Sequence, residues 1–466
     1  IQKIEIGDTV FTQNGLHKVI KLYRMPERPL LEIEMENGIS NTVTPSQKFK
    51  VLTESWDFQW KEAKELTPDD YLITRAVYPQ IDSLRELKRT KENQPIFLNE
   101  NIAYFLGMFV SEGSLAKDYS QKKLPRIIIS NNDFEIMKRI AVILEQEFGY
   151  KAAIETKNYQ LTNKKGEILR NTKYIVRINK KDINDFFVMN FGLEGKKTLN
   201  KEIPQQIFAS PEKIRFAFIS GLIDGDGSIH KNREVIHYGS ISEELIDQLQ
   251  VFLQHQGIFS QKYGDNEPKS HYVNNRQVVK RFPFYYLEIG GENAIKLALK
   301  LELVGQIKKG RVLKLRNKAI ADWERKGPNK NDLMPYAGRM IFQELSNNYL
   351  GSGWYQNANG DKFRLGIKYP NGESKIRYSL GLWEKPLSKT QVIERGIKNK
   401  LEKINSPSSE FLDDIIKNKI YFLKISSVKK VAPKKTYDLE IENEHEFIAN
   451  GLIAHNCLGK YHPHSD

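Results

Sequence analysis

The sequence predicts an α+β protein in which β-rich segments at both chain ends enclose a duplicated region of helices and strands. Three observations carry this. The run ISGLIDGDG (residues 219–227) is apolar, notched by a glycine and closed by an acid and a glycine, and FLGMFVSEG (residues 105–113) aligns with it without gaps. Behind each copy, strand-like and helix-like patterns follow in the same order, so that each copy opens an αββαββα half. The flanks, up to about residue 74 and from about residue 420, read as strands separated by turns.

Residues 1–73 read as β structure: 30–35 alternate, Asn37-Gly38 is a hairpin turn, and 42–52 return. Residues 75–100 become charged and lose periodicity, the pattern of a linker with one helix. The first half then has a helix through 105–112, a strand at 126–129, an amphipathic helix at 134–147, strands within 152–178 and a helix from Lys181. In the second, Ser210-Pro211-Glu212 offers an N-cap oxygen, a first-turn proline and a first-turn carboxylate, which starts a helix at Ser210. A strand at 235–238, a helix at 243–254, strands within 259–289 and a helix from Glu292 complete it. Gly107 and Gly221 remove side chains where two helices could approach closely, while Gly113 and Gly227 stop them. Glu112 and Asp226 are left at the helix ends, and packing the two helices together would set the carboxylates side by side.

Residues 331–419 match neither half. Tyr336, Trp354, Tyr355, Tyr369 and Trp383 are interleaved with Arg339, Lys362, Arg364, Lys368 and Arg377, and a charged helix spans 389–403. Aromatics beside bases suit an accessory DNA-contacting subdomain, and aromatics at strand spacing suit a core.

With 466 residues the chain has room for two or three domains. No apolar run approaches the roughly 20 residues of a membrane helix, and no secretory leader is visible, so the expected compartment is the cytoplasm. A single cysteine, Cys457, excludes an internal disulfide framework and a multi-cysteine zinc site. The net charge of +14 favours a polyanionic partner. Residues 301–330 hold nine Lys or Arg against three acids, and Lys164, Lys165, Lys180 and Lys181 add to the basic surface.

The paired acidic motifs resemble the LAGLIDADG homing endonucleases. The resemblance implies a nuclease over 101–320, with halves at about 101–195 and 210–305, acting on double-stranded DNA. Glu112 and Asp226 would be its catalytic acids and the ligands of magnesium, for which two hard carboxylates, waters and phosphate oxygens make a suitable shell. Divalent metal there can neutralise the scissile phosphate, activate water and stabilise the leaving oxygen. Lys201, in NKEIP (200–204), resembles the family's Lys-x-Ile-Pro block, and Lys308 or Lys309 follows the second half in the same way, Lys308 being the one assigned a catalytic role.

The chain ends resemble the splicing blocks of inteins: IGDTVFT (6–12) and VTPSQKF (43–49) near the start, TYDLEIENEHEFIANGLIAHNC (436–457) near the end. The resemblance implies an all-β Hint-type splicing domain built from 1–74 and 420–456, working without a cofactor. An upstream acyl ester would pass to Cys457, Asn456 would attack its own carbonyl, and His455 and His445 would move protons. Asp438 would support the transfer, and Thr44 would sit in the oxyanion site or where the first peptide bond is strained. Two departures bear on the first step. The family opens with a Cys or Ser nucleophile and a short block ahead of the IGDxV segment, whereas this sequence begins at Ile1, so a separate N-terminal fragment is one candidate partner. The Thr-x-x-His block reads Thr44-Pro45-Ser46-Gln47, and glutamine is neither an acid nor a base.

The last ten residues, CLGKYHPHSD, resemble a GKYHPHGD segment of the A-type subunit of type II DNA topoisomerases, which implies flanking host sequence over 457–466. Two other classes compete: a free-standing endonuclease or maturase, disfavoured by residues 436–457, and a non-cleaving DNA-binding remnant, disfavoured by the presence of both Glu112 and Asp226.

Overall fold

The computed structural model describes residues 1–88, 96–118, 123–162, 168–193, 198–265, 270–273, 276–279, 282–322, 332–351, 354–365 and 386–456. Ile1–Pro79, Gln254–Gly257 and the described residues from 332 onward form one unit; Gln80–Leu253 and Ile258–Glu324 form another. The first unit opens with β1 (Thr9–Thr12), which turns into the 21-residue β2 (Gly15–Met35). Gly38 takes φ +84° in the expected turn, and β3 (Ser40–Val43) returns with Leu31 opposite Val43. The single returning strand expected over 42–52 is two strands. A turn over 44–47, closed by Gln47 N to Thr44 O at 3.0 Å, separates β3 from β4 (Lys48–Leu52). Pro45 has no N–H to give a ladder, which is the physical reason for the break. β5 (Phe58–Glu62) and β6 (Tyr71–Arg75) both pair with β4.

In the second unit the stretch expected to be a linker with one helix contains, among its described residues, no helix but a pair of short strands, β7 (Glu86–Leu87) and β8 (Ile96–Phe97). The Asn99 side chain caps α1 (Glu100–Glu112) by accepting from Ile102 N at 3.0 Å. There follow β9 (Gly113–Asp118), β10 (Lys123–Asn131), α2 (Phe134–Phe148), β11 (Ile154–Thr162), β12 (Ile168–Ile178) and α3 (Lys181–Phe191), with an antiparallel sheet ordered β11-β12-β10-β9. After the short α4 (Gln205–Phe208) the arrangement repeats. α5 (Glu212–Gly225), β13 (Ser228–Ile229), β14 (Val235–Ser240), α6 (Glu243–His255), β15 (Gln261–Asp265), the hairpin β16 (Ser270–Val273) and β17 (Arg276–Val279), β18 (Phe284–Gly290) and α7 (Glu292–Lys300) give a sheet ordered β13-β14-β18-β15.

α5 starts two residues after the expected Ser210. The Ser210 hydroxyl does not cap it but donates back to Gln206 O at 2.7 Å, answering an orphan carbonyl of α4. The basic stretch after residue 300 folds in part as α8 (Gln306–Asp322), a mostly polar helix without the apolar stripe that would announce it.

Back in the first unit are β19 (Leu333–Met334), α9 (Ala337–Asn347), the three-stranded β20 (Tyr349–Gly351), β21 (Trp354–Gln356) and β22 (Lys362–Arg364), then β23 (Leu387–Ser388), α10 (Lys389–Glu394), α11 (Ile397–Lys403) and α12 (Pro407–Lys417). The one helix expected over 389–403 is broken at Gly396, which takes φ +57°. These elements share an apolar core with the chain's early and late strands: Met334, Ile341, Leu387 and Leu412 pack in one cluster with Leu52, Trp56, Phe422 and Ile453. Trp56 Nε1 also donates to Pro335 O at 2.7 Å. Tyr355 is buried in that core, whereas Trp354 is exposed with Arg364 stacked 5.0 Å from its ring centre. Tyr369, Trp383, Lys368 and Arg377 lie outside the described residues.

The chain closes with the 22-residue β24 (Ile420–Ile441), β25 (Glu446–Ala449) and β26 (Leu452–His455). β24 pairs with β2 from Val19 opposite Ile441 to Met35 opposite Ile425. The resulting nine-stranded sheet runs β1-β2-β24-β6-β4-β26-β25, with β3 on β2 and β5 on β4, and β1 lies against β25. Among the described residues no helix is long and apolar enough to cross a membrane.

Candidate active sites

The first candidate site lies where α1 and α5 meet. A Cβ placed on Gly107 would fall 2.1 Å from Phe218 O, and one on Gly221 would fall 2.2 Å from Tyr104 O. The contact is reciprocal between matching positions of the two copies, and only hydrogen fits at either glycine. It continues to the helix ends: a Cβ on Gly225 would lie 2.4 Å from Ser111 Cβ and 3.4 Å from Glu112 Cγ. Glu112, the last residue of α1, and Asp226, the C-cap of α5, therefore adjoin.

Burial, and then the charge of Asp226, pushes the Glu112 carboxyl above its ordinary range. Burial raises Asp226 as well, with Lys201 and Lys308 opposing the shift. Burial in turn lowers both lysines. Lys201 Nζ donates to Ser111 O at 2.7 Å, in the last turn of α1. Lys308 Nζ donates to Ile223, Asp224 and Gly225 carbonyls at 2.9, 2.8 and 2.9 Å, in the last turn of α5. Each lysine thus satisfies the electronegative end of one helix while standing near the carboxylate pair. Asn131 Nδ2 approaches Glu112 Oε1 at 3.4 Å. Ser111, Lys201, Asp226, His237, Phe284 and Tyr286 help line a pocket of about 650 Å³.

Sequence reasoning passed over Asp224. It is 1% exposed, and its carboxylate accepts from Tyr104 Oη at 2.8 Å, Val304 N at 2.8 Å and Gly305 N at 3.1 Å. Asp133 accepts from Gln306 N at 3.1 Å, so these two acids hold the start of α8 and with it Lys308. The signal was the extra acid of ISGLIDGDG, at the position where the first copy has Val110. Among the described residues no group of three or more His, Cys, Asp or Glu is arranged to hold a metal.

The second candidate site is at the end of β26. The turn between β25 and β26 uses Asn450 and Gly451, both at positive φ, and brings Asn456 N to His445 O at 2.9 Å. Asn456 is 1% exposed; its Nδ2 donates to Glu444 O at 3.1 Å, and its Oδ1 is buried with no partner among the described residues. His455 Nδ1 stands 2.7 Å from Asn456 O. That carbonyl can only accept, so the contact requires the Nδ1–H form. The Trp60 ring meets His455 edge-on with centroids 5.0 Å apart.

Gln47, from the turn that also carries Thr44, donates from Nε2 to His455 O at 2.7 Å. Thr44 Oγ1 lies 3.5 Å from Ser46 Oγ. The structure thus gathers His455, Asn456, the 44–47 turn and the His445 backbone, while the His445 side chain is exposed. Asp438 stands in β24 opposite Tyr23, its Oδ1 accepting from Leu439 N at 2.8 Å. Cys457 and the nine residues after it lie outside the described residues, as do Lys164, Lys165, Arg325, Lys326 and Lys330.

Comparison with known proteins places these features in a family. Residues 3–456 match the model of the intein splicing domain. The DNA gyrase A chain of Mycobacterium gordonae is 20% identical over 415 residues, covering 87% of this chain and 61% of the relative. A DNA polymerase of Thermococcus sp. (strain GE8) is 32% identical over 165 residues, 35% of this chain and 8% of the relative. The chain thus spans less than two thirds of the length of these curated relatives. Among solved structures, mesophilic variants of the homing endonuclease I-DmoI match 44% of this chain and 96% of theirs at 18% identity and a TM-score of 0.31. I-DmoI in complex with DNA and calcium matches with the same identity and score, over 44% of this chain and 90% of its own. The family model covers nearly the whole sequence, and the chain belongs to the intein splicing-domain family.

Proposed function

We propose that this chain is an intein that excises itself by protein splicing and carries a site-specific endonuclease for double-stranded DNA. The nine-stranded sheet drawn from both chain ends is its Hint-type splicing domain, and the two repeated halves are its nuclease. The reading of the splicing end is carried by one contact, His455 Nδ1–H on Asn456 O at 2.7 Å. That bond draws electrons from the carbonyl carbon that Asn456 Nδ2 attacks. The Nδ2–C bond forms as the peptide bond to residue 457 breaks; Nδ2 loses a proton, the departing amine gains one, and a C-terminal succinimide remains. Thr44, Asp438, His445 and Cys457 keep the roles that the resemblance implies, in the earlier steps and in proton transfer.

For the nuclease, the carrying observation is the reciprocal glycine contact that sets Glu112 beside Asp226. Two adjoining carboxylates, each pushed up in pKa, suit a divalent cation, which would relieve their repulsion. Glu112 and Asp226 would hold magnesium, which when bound supplies charge neutralisation at the phosphate and a more acidic water. Lys201 and Lys308, fixed at the two helix ends, add positive charge where the phosphodiester charge grows. The basic surfaces bind the DNA backbone, region 331–419 contributes DNA contact through groups such as Arg364, and the protein works in the cytoplasm. The flanking sequence belongs to the A-type subunit of a type II topoisomerase.

The test uses the full chain with magnesium and a plasmid carrying the uninterrupted host gene. Specific linearisation is expected; Asp226→Asn should abolish it while DNA binding persists, and parallel loss of binding would overturn the role given to Asp226.

A further inference from the structure

The peptide unit joining His455 to Asn456 is gripped from both sides. Its N–H is held by His445 O at 2.9 Å, and its carbonyl oxygen accepts from Gln47 Nε2 at 2.7 Å. Gln47 is itself fixed by its backbone: its N–H donates to Thr44 O at 3.0 Å, and its carbonyl accepts from Ala63 N at 2.8 Å. The same Nε2 donates to Lys48 O at 3.1 Å, so one side-chain amide ties the start of β4 to the last residue of β26. Closing the five-membered succinimide ring requires rotation about Cα–Cβ and Cα–C of Asn456. With the preceding peptide held, those rotations are nearly all that remains to be settled, and the His455 contact already restrains one of them.

From this geometry we infer that Gln47 is a positioning residue for cyclisation of Asn456, orienting the peptide that precedes the reacting carbonyl. The inference rests on the splicing reading above. Gln47 is not an idle replacement for a proton-transferring residue of the first step; it acts at the other end of the chain. The glutamine amide has no titration near neutrality, so the grip it provides is insensitive to pH, unlike one made by a histidine in its place.

The experiment follows release of the segment beginning at Cys457 from the full chain by intact mass, across pH 4 to 8. Gln47→Leu removes the donor at similar size and should slow release about tenfold at every pH. Gln47→Glu can donate only when protonated, so its release rate should fall as pH rises through the carboxyl's titration, an inflection the parent lacks. A structural role alone would not produce that inflection. Gln47→Leu releasing at the parental rate, or Gln47→Glu following the parental pH profile, overturns the inference. If Gln47→Leu fails to fold by circular dichroism, the pH profile within the single Gln47→Glu protein decides. Asn456→Ala tests the underlying reading separately: release that persists there rejects cyclisation itself, whatever Gln47 does.

Discussion

The Tyr104 hydroxyl donates to the Asp224 carboxylate at 2.8 Å across the two central helices, where Tyr104 is 4% and Asp224 1% exposed. Burial raises the Asp224 carboxyl, and its three donors work against that rise. Tyr104→Phe leaves two amide donors and a poorly answered buried charge. A loss of about 1–3 kcal/mol is expected in denaturant unfolding, with Asp224→Ala costing more because it also frees the start of α8.

The glycine contact predicts that one chemical change has opposite signs at two places. Gly107→Ala or Gly221→Ala drives a methyl into backbone of the facing helix and should cost at least ~2 kcal/mol. Gly310→Ala, on exposed α8 with nothing within 4 Å of the new methyl, should gain up to about 1 kcal/mol from helix propensity. Thermal unfolding of the three variants checks it.

Folded Glu112 and Asp226 hold their protons more tightly than the unfolded chain does, since their values lie above the ordinary carboxylate range. Their contribution favours folding fully below that range and is lost as pH rises through the raised values. Asp226→Asn should therefore be more stable than the parent at pH 7, with the gap closing toward pH 4. Melting curves over that interval give the sign; magnesium should narrow the gap by stabilising only the parent.

DNA binding should depend steeply on salt. Each phosphate neutralised by a lysine or arginine contributes about 0.9 to the slope of log affinity against log salt, and a chain of net charge +14 with basic α8 offers several such contacts. A fluorescence titration between low and moderate salt is expected to give a slope of several units; a slope near zero removes the DNA role of these groups.

The repeated halves were legible because their signals are local. A glycine notch, a closing acid and the switch between 3.6- and 2-residue periods all sit within a few turns of chain, and Glu112 and Asp226 could be named from them, whereas His455 and Asn456 were named from the resemblance of 436–457 to intein blocks. What could not be read depends on partners far along the sequence. Asp224 looks like one more turn acid until the amides of Val304 and Gly305 are brought to it. Lys308 owes its place to three carbonyls of a helix that ends some eighty residues earlier. Gln47 reads as a lost acid–base group until β4 and β26 are paired. Ser210 carries a capping signal that a neighbouring helix claims first.

The long β2–β24 ladder joins residues 19–35 to residues 425–441, with almost the whole chain between them. Contacts so distant in sequence close slowly and cannot begin to form on the ribosome until the late strand has emerged. The internal halves, whose contacts are nearer, can fold first. Because Asn456 lies beyond that late strand, at the end of β26, its surroundings are completed only after β24 has been made. The ladder is in this sense a timer: the chain cannot cut itself loose before synthesis has passed its last strand.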